Sequence, residues 1–193
     1  METLNQLDTQ ALLYFNRQHS TWADELMFLV SDTKVWIPFY LLLIYFIFKQ
    51  SNLKSTLIIV VSVVVMLILS DRISSGFFKP TFKRYRPTHE MTIKQKIHLV
   101  HEYRGGQYGF VSSHAANTFG LAMLLWLFFG KSDKRWAFLF VWAGFVSFSR
   151  IYLGVHYPLD VLAGALLGVL CACFVFLIVT RLIPTKFNFT PPR

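Results

Sequence analysis

Five stretches of this chain stay apolar long enough to approach the roughly 20 residues that cross a bilayer as a helix. They lie at 35–48, 55–70, 115–129, 136–148 and 159–183. Lys34 and Lys49 bracket the first, where long amines reach toward water from apolar stems. The second is expected to continue as helix past Asp71 and Arg72 toward Phe78.

Residues 4–30 are patterned differently. Leu4, Leu7, Ala11, Leu12 and Phe15 recur at helical spacing, with Asn5, Gln6, Asp8 and Arg17 elsewhere on the wheel. An amphipathic helix lying at the membrane interface fits that pattern. A second short helix follows in TWADELMFLVS, with Thr21 as its expected cap. The two are alternatively one polar-tolerant sixth crossing. The expected architecture is therefore all-α: a single membrane-embedded domain over 1–193, a bundle of five to six transmembrane helices with an N-terminal amphipathic helix. The last residues, NFTPPR, read as a frayed tail.

One long connection, 79–111, interrupts the apolar pattern. It mixes Met91, Ile93, Ile97, Leu99 and Val100 with Lys94, Lys96, His98 and His101. A connection this long inside a compact domain is functional or disordered as a rule. Its composition suggests a piece resting on lipid headgroups.

Composition supports a membrane protein: 54% of residues are hydrophobic, mean hydropathy is +0.47, and 20 Phe, 8 Tyr and 5 Trp are present. The net charge of +9 would suit nucleic acid, but the basic residues are spread between apolar spans, so anionic headgroups are the simpler partner. They divide almost evenly between the two expected membrane faces and so set no orientation. Cys171 and Cys173, two apart inside an apolar run, point to different sides of a helix and are read as core- or lipid-facing. The first ten residues lack the basic start and apolar run of a secretory signal, so no cleavage is expected.

Three short motifs carry the candidate chemistry. Lys79 and Arg86 are seven apart in KPTFKRYRP, and on a helix that spacing brings both to one face, where two cations suit a phosphate dianion. Lys83 and Arg84 between them fit headgroup contacts better. Ser112-Ser113-His114 precedes an apolar helix, where a Ser cap, outward-pointing amides and an acidic proton on His would sit together. In SRIYLGVHYPLD, His156 and Asp160 are four apart, so a carboxylate can fix the imidazole tautomer and leave the other nitrogen free to attack. Gly154 would let the chain turn back and bring in Arg150. Each motif alone reads more readily as headgroup contact, helix cap or structural hydrogen bond. Counting spans puts all three on one membrane face.

Lys79-x6-Arg86-Pro87, Ser112-Ser113-His114 and Ser149-Arg150-x5-His156-x3-Asp160 resemble, in order and spacing, the three signatures of the type 2 phosphatidic acid phosphatase superfamily, which includes vanadium haloperoxidases. The resemblance implies a lipid phosphatase using neither metal nor cofactor. In it His156 becomes a phosphohistidine, Asp160 orients it, and His114 protonates the leaving group. Lys79, Arg86, Arg150, Ser112 and the Ser113 amide hold the phosphoryl oxygens. It also implies a bacterial inner-membrane protein whose site faces the periplasm. The second signature commonly reads Pro-Ser-Gly-His, whereas Val111 and Ser113 occupy the Pro and Gly positions here, so an altered phosphate pocket is expected. Undecaprenyl diphosphate, lipid A, phosphatidylglycerol phosphate and phosphatidate are the candidate lipids. Transfer to a lipid acceptor and non-catalytic binding of anionic lipid are the alternative readings, and no nucleic-acid partner is expected.

Overall fold

The computed structural model describes residues 2–183, and its regular structure is helical. In chain order the helices are α1 (Glu2–Arg17), α2 (Thr21–Ser31), α3 (Ile37–Gln50), α4 (Leu53–Asp71), α5 (Lys79–Phe82), α6 (Ser113–Phe129), α7 (Phe138–Tyr152) and α8 (Pro158–Leu182). A π-helical stretch, Arg72–Phe78, joins α4 to α5, so Leu53–Phe82 runs as one helix of 30 residues. The continuation past Asp71 and Arg72 is thus present. No strand occurs among the described residues, only one antiparallel bridge between Tyr85 and Tyr108.

Local chemistry sets most of the helix ends. Asn52 and Ser112 accept side-chain hydrogen bonds at the starts of α4 and α6, and Pro158 opens α8 where its missing N–H costs nothing. The cap of α2 is Ser20, whose Oγ accepts from Ala23 N, rather than Thr21. Lys83 adopts a left-handed conformation (φ 47°) and ends α5, with its N–H bonded to Lys79 O. The helical spacing expected over Lys79–Arg86 therefore breaks at Lys83, and Arg86 reaches the site from the loop.

Four of the five expected spans coincide with α3, α4, α6 and α8, and the fourth in order, 136–148, falls within the turn and first part of α7. Leu53–Phe82 and Pro158–Leu182 are each long and apolar enough to cross a membrane alone, and α2 with Thr33–Gln50 would make a third, bent by 69°. That bent pair differs from the expected pairing of α1 with α2. Apolar side chains such as Leu57, Val61, Leu166 and Phe174 face outward, as a lipid-facing surface requires.

The centre of the bundle is the α6–α8 pair. Its axes approach closely because Gly164 and Gly168 of α8 meet the backbone of Ser112 and Ala116, leaving no space for a methyl group. Ile59, Met66, Leu124, Leu125 and Phe129 fill the main core around it. A smaller core beneath the site joins Leu12 of α1 and Ile93 and Ile97 of the loop to Ala115, Tyr157 and Val161. Ile93, Ile97 and Val100 of the loop thus pack into protein, where headgroup contact was expected, while Met91 stays exposed. α1 is amphipathic in an unexpected sense: Leu4 and Leu7 are exposed, and the buried stripe is Asp8, Leu12 and Asn16.

Candidate active site

The three motifs meet at one end of the bundle. Gly154 (φ 67°) turns the chain after α7, so that the N–H groups of Val155 and His156 both donate to Arg150 O. Only glycine enters that left-handed turn without strain. The turn places His156, 1% exposed, beside Arg150, 2% exposed. Asp160 sits in the first turn of α8 and is fully buried. Its Oδ2 accepts from Tyr157 N at 3.0 Å and lies 3.5 Å from His156 Nδ1, which has no hydrogen-bond partner. Ser112 N donates to Asp160 O at 2.9 Å, stapling the α6 start to the α8 start.

Around His156 stand three cations. Its pKa is held well below the usual histidine value, first by burial and then by the charges of Arg86, Arg150 and Lys79. His156 is accordingly a neutral imidazole, the form that carries a nucleophilic lone pair. Arg86 is fixed by Nε donating to Tyr108 O at 3.1 Å and by its backbone N–H to Gln107 O. Its guanidinium packs against Gly105 (φ 64°), where any side chain would strike it.

Lys79 donates from Nζ to Ser113 Oγ at 2.9 Å and to Ser75 Oγ at 3.2 Å. The side chain in the Gly position of the second signature therefore points at the ammonium, and it also bonds Ser74 and Ser75 of the π-helical stretch. Ser112 is fully buried and its Oγ faces Ala115 N as the helix cap. His114, two residues further along, lines an apolar cavity of about 700 Å³ between α3, α4, α6 and α7.

Several residues reach the site that the sequence pattern did not single out. Arg150 donates from Nη1 to Ser31 Oγ, at the end of α2, and from Nη2 to Tyr103 OH at 3.0 Å. Burial alone would push the Tyr103 phenol up, but the Arg150 and Arg86 guanidiniums outweigh it and hold its pKa below the usual tyrosine value. Arg84, expected to face headgroups, turns inward and bridges Asp160 and Asp8 at 2.6 Å each. The sequence pattern sets Asp8 on the polar side of α1; its i, i+4, i+8 spacing with Leu12 and Asn16 is the signal that could have found it. Ser31, Tyr103 and Arg84 carry no such signal.

A family model described as the PAP2 superfamily matches residues 55–184. The chain belongs to that superfamily. It is 39% identical over 171 residues to the lipid A 4'-phosphatase of Bacteroides thetaiotaomicron, covering 87% of this chain and 75% of the relative. The lipid A 4'-phosphatase of Porphyromonas gingivalis is 32% identical over 178 residues, covering 91% and 74%. The crystal structure of a transmembrane PAP2-type phosphatidylglycerolphosphate phosphatase from Bacillus subtilis superimposes with a TM-score of 0.70 over 97% of this chain and 90% of the other, at 19% identity. The all-helical fold is thus that of a PAP2 membrane phosphatase.

Proposed function

We propose that this PAP2 protein is a single membrane-embedded domain that hydrolyses the phosphate ester of a lipid, with a lipid A phosphomonoester as the preferred substrate. The observation that carries the reading is a neutral, buried His156 ringed by Lys79, Arg86 and Arg150 beside an apolar cavity lined by His114. A phosphate dianion relieves the repulsion among the three cations, while the cavity accepts an acyl chain. Similarity to two lipid A 4'-phosphatases along most of the chain supports the choice of lipid.

In this reading the bound phosphate dianion offsets the neighbouring cations and lets His114 take up a proton from solvent. Nε2 of His156 then attacks phosphorus while the bond to the leaving oxygen breaks, and His114 gives that oxygen its proton. Asp160 stabilises the positive charge on the imidazole. Water, deprotonated by His114, then attacks the phosphohistidine and releases inorganic phosphate, returning both histidines to their starting states. Lys79, Arg86, Arg150 and the amides at the start of α6 hold the phosphoryl oxygens. Ser112 acts by shaping that helix start, since its own oxygen serves as the cap.

We place α3, α4, α6, α7 and α8 across a bacterial inner membrane with the site toward the periplasm. The purified protein in detergent should release phosphate from lipid A faster than from undecaprenyl diphosphate, phosphatidylglycerol phosphate or phosphatidate, with His156→Ala as the blank. Release with no lipid acceptor present rules out obligatory transfer. A preference for the diphosphate would overturn the choice of lipid. Hydrolysis surviving His156→Ala would overturn the mechanism. For orientation, K94C in a background of C171S and C173S should react with an impermeant maleimide in intact spheroplasts.

A further inference from the structure

Asp160 is the residue that orients His156 in the mechanism above, and its own orientation is set from outside the three motifs. Arg84 Nη1 donates to Asp160 Oδ1 at 2.6 Å, while Arg84 Nη2 donates to Asp8 Oδ2 at 2.6 Å. Both carboxylates are sealed from solvent, with side chains 0% and 1% exposed, and the guanidinium between them is 24% exposed. The Arg84 guanidinium also lies on the Tyr157 ring, 4.1 Å from its centroid. Arg84 O accepts from Gly109 N at 2.9 Å, and Gly109 packs against both Asp160 and His156. Asp8 uses its second oxygen to accept from Leu159 N, the residue before Asp160.

These contacts fix the Asp160 carboxylate almost completely. Oδ1 belongs to Arg84; Oδ2 takes the Tyr157 N–H and is left facing Nδ1 of His156. A planar guanidinium holding one oxygen at short range restricts rotation of the carboxylate plane. A buried carboxylate also needs an adjacent cation to stay ionised. Arg84 meets both needs, and Asp8 holds Arg84 in place from a helix that lies outside the matched region 55–184.

We propose that Arg84, clamped by Asp8 of α1, is a positioning residue that keeps Asp160 ionised and turned toward His156, making the first helix part of the catalytic machinery. The inference rests on the phosphohistidine reading. Other charged or titratable groups facing the Asp160–His156 pair are Arg86 from the loop, Lys79 of α5, Arg150 of α7 and His114 of α6. All of them remain in the variants below.

The test measures phosphate release from lipid A in detergent micelles between pH 4 and 9, together with the fraction of folded protein. Arg84→Gln removes the charge and keeps a hydrogen-bonding side chain. It should lower kcat by about 10- to 100-fold, as loss of outer-shell orienting groups does, with little change in KM. Its acid limb should move to higher pH, because an Asp160 without its cation takes up a proton more readily. Arg84→Lys should recover part of kcat and return the limb toward the wild-type position.

Asp8→Asn keeps an acceptor for Leu159 N and loses only the clamp, so it should lower kcat in the same direction. The double variant Asp8→Asn/Arg84→Gln should be no worse than Arg84→Gln alone, since both act along one path. Lys83→Gln, an exposed neighbouring charge, should match the wild type. A wild-type kcat and acid limb in Arg84→Gln overturns the inference, as does a loss explained wholly by unfolded protein. Full hydrolysis by His156→Ala overturns the phosphohistidine reading and this inference with it; inactivity there with unaltered Arg84→Gln overturns the inference alone.

Discussion

Ser113 shows how one side chain can redirect a phosphate site. An ammonium has three donors, and Lys79 spends two of them on Ser113 and Ser75. Ser113→Gly removes one acceptor and frees that donor for a phosphoryl oxygen. Inhibition by inorganic phosphate should tighten by about 5-fold, the equivalent of one hydrogen bond near 1 kcal/mol. Weaker inhibition would mean that Ser113 aims Lys79 rather than competing for it. In the wild type, where Arg84 holds Asp160 ionised, the acid limb reports His156. Its pKa is depressed by burial and three cations, so the neutral, attacking form persists as pH falls. The acid limb of kcat/KM, corrected for the phosphate's own ionisation near pH 6, should lie below the ordinary histidine value of about 6.5. A corrected limb at or above that value would show that the cations do not act on the imidazole as described.

Among the elements, the α6–α8 crossing sets the distance between the two histidines. His114 rides on the first turn of α6, and His156 lies two residues before α8. Gly168 meets the Ala116 carbonyl, so a methyl there presses on backbone, which no rotamer change relieves. Gly168→Ala is expected to cost about 1–3 kcal/mol and to slow hydrolysis by separating His114 from His156. Thermal unfolding in detergent, beside kcat per folded molecule, checks both. Overlapping apolar runs made α3, α4, α6 and α8 legible in the sequence, because lipid-facing positions must be apolar whatever the tertiary contacts. The ends of α5 and the inward turn of the loop were not legible. Lys83 in a left-handed conformation has no sequence mark as glycine would, and Ile93, Ile97 and Val100 look alike whether they meet lipid or protein. The catalytic motifs were legible because each is local, whereas Ser31 and Tyr103 arrive 119 and 47 residues away from Arg150 with ordinary side chains.

At the scale of the whole molecule, the cavity between α3, α4, α6 and α7 runs along apolar side chains to His114. Tyr40, Leu43, Ile44, Val64, Leu121 and Leu125 supply walls that suit an acyl chain, while Asn117 and Thr118 stand near its polar end. A lipid leaving a micelle for this cavity exchanges one apolar environment for another, so chain length affects affinity little there. Monodisperse short-chain phosphatidates start in water instead. Each added methylene that enters the cavity contributes about 0.8 kcal/mol, or nearly fourfold in KM. KM should therefore fall steeply from dibutanoyl to dihexanoyl phosphatidate at constant kcat. Leu121→Trp, which fills the middle of the cavity from α6, should flatten that slope while leaving the shortest substrate nearly unaffected. A slope that survives the substitution would place the acyl chain on the outer surface of the bundle, and the cavity would then have no part in holding the substrate.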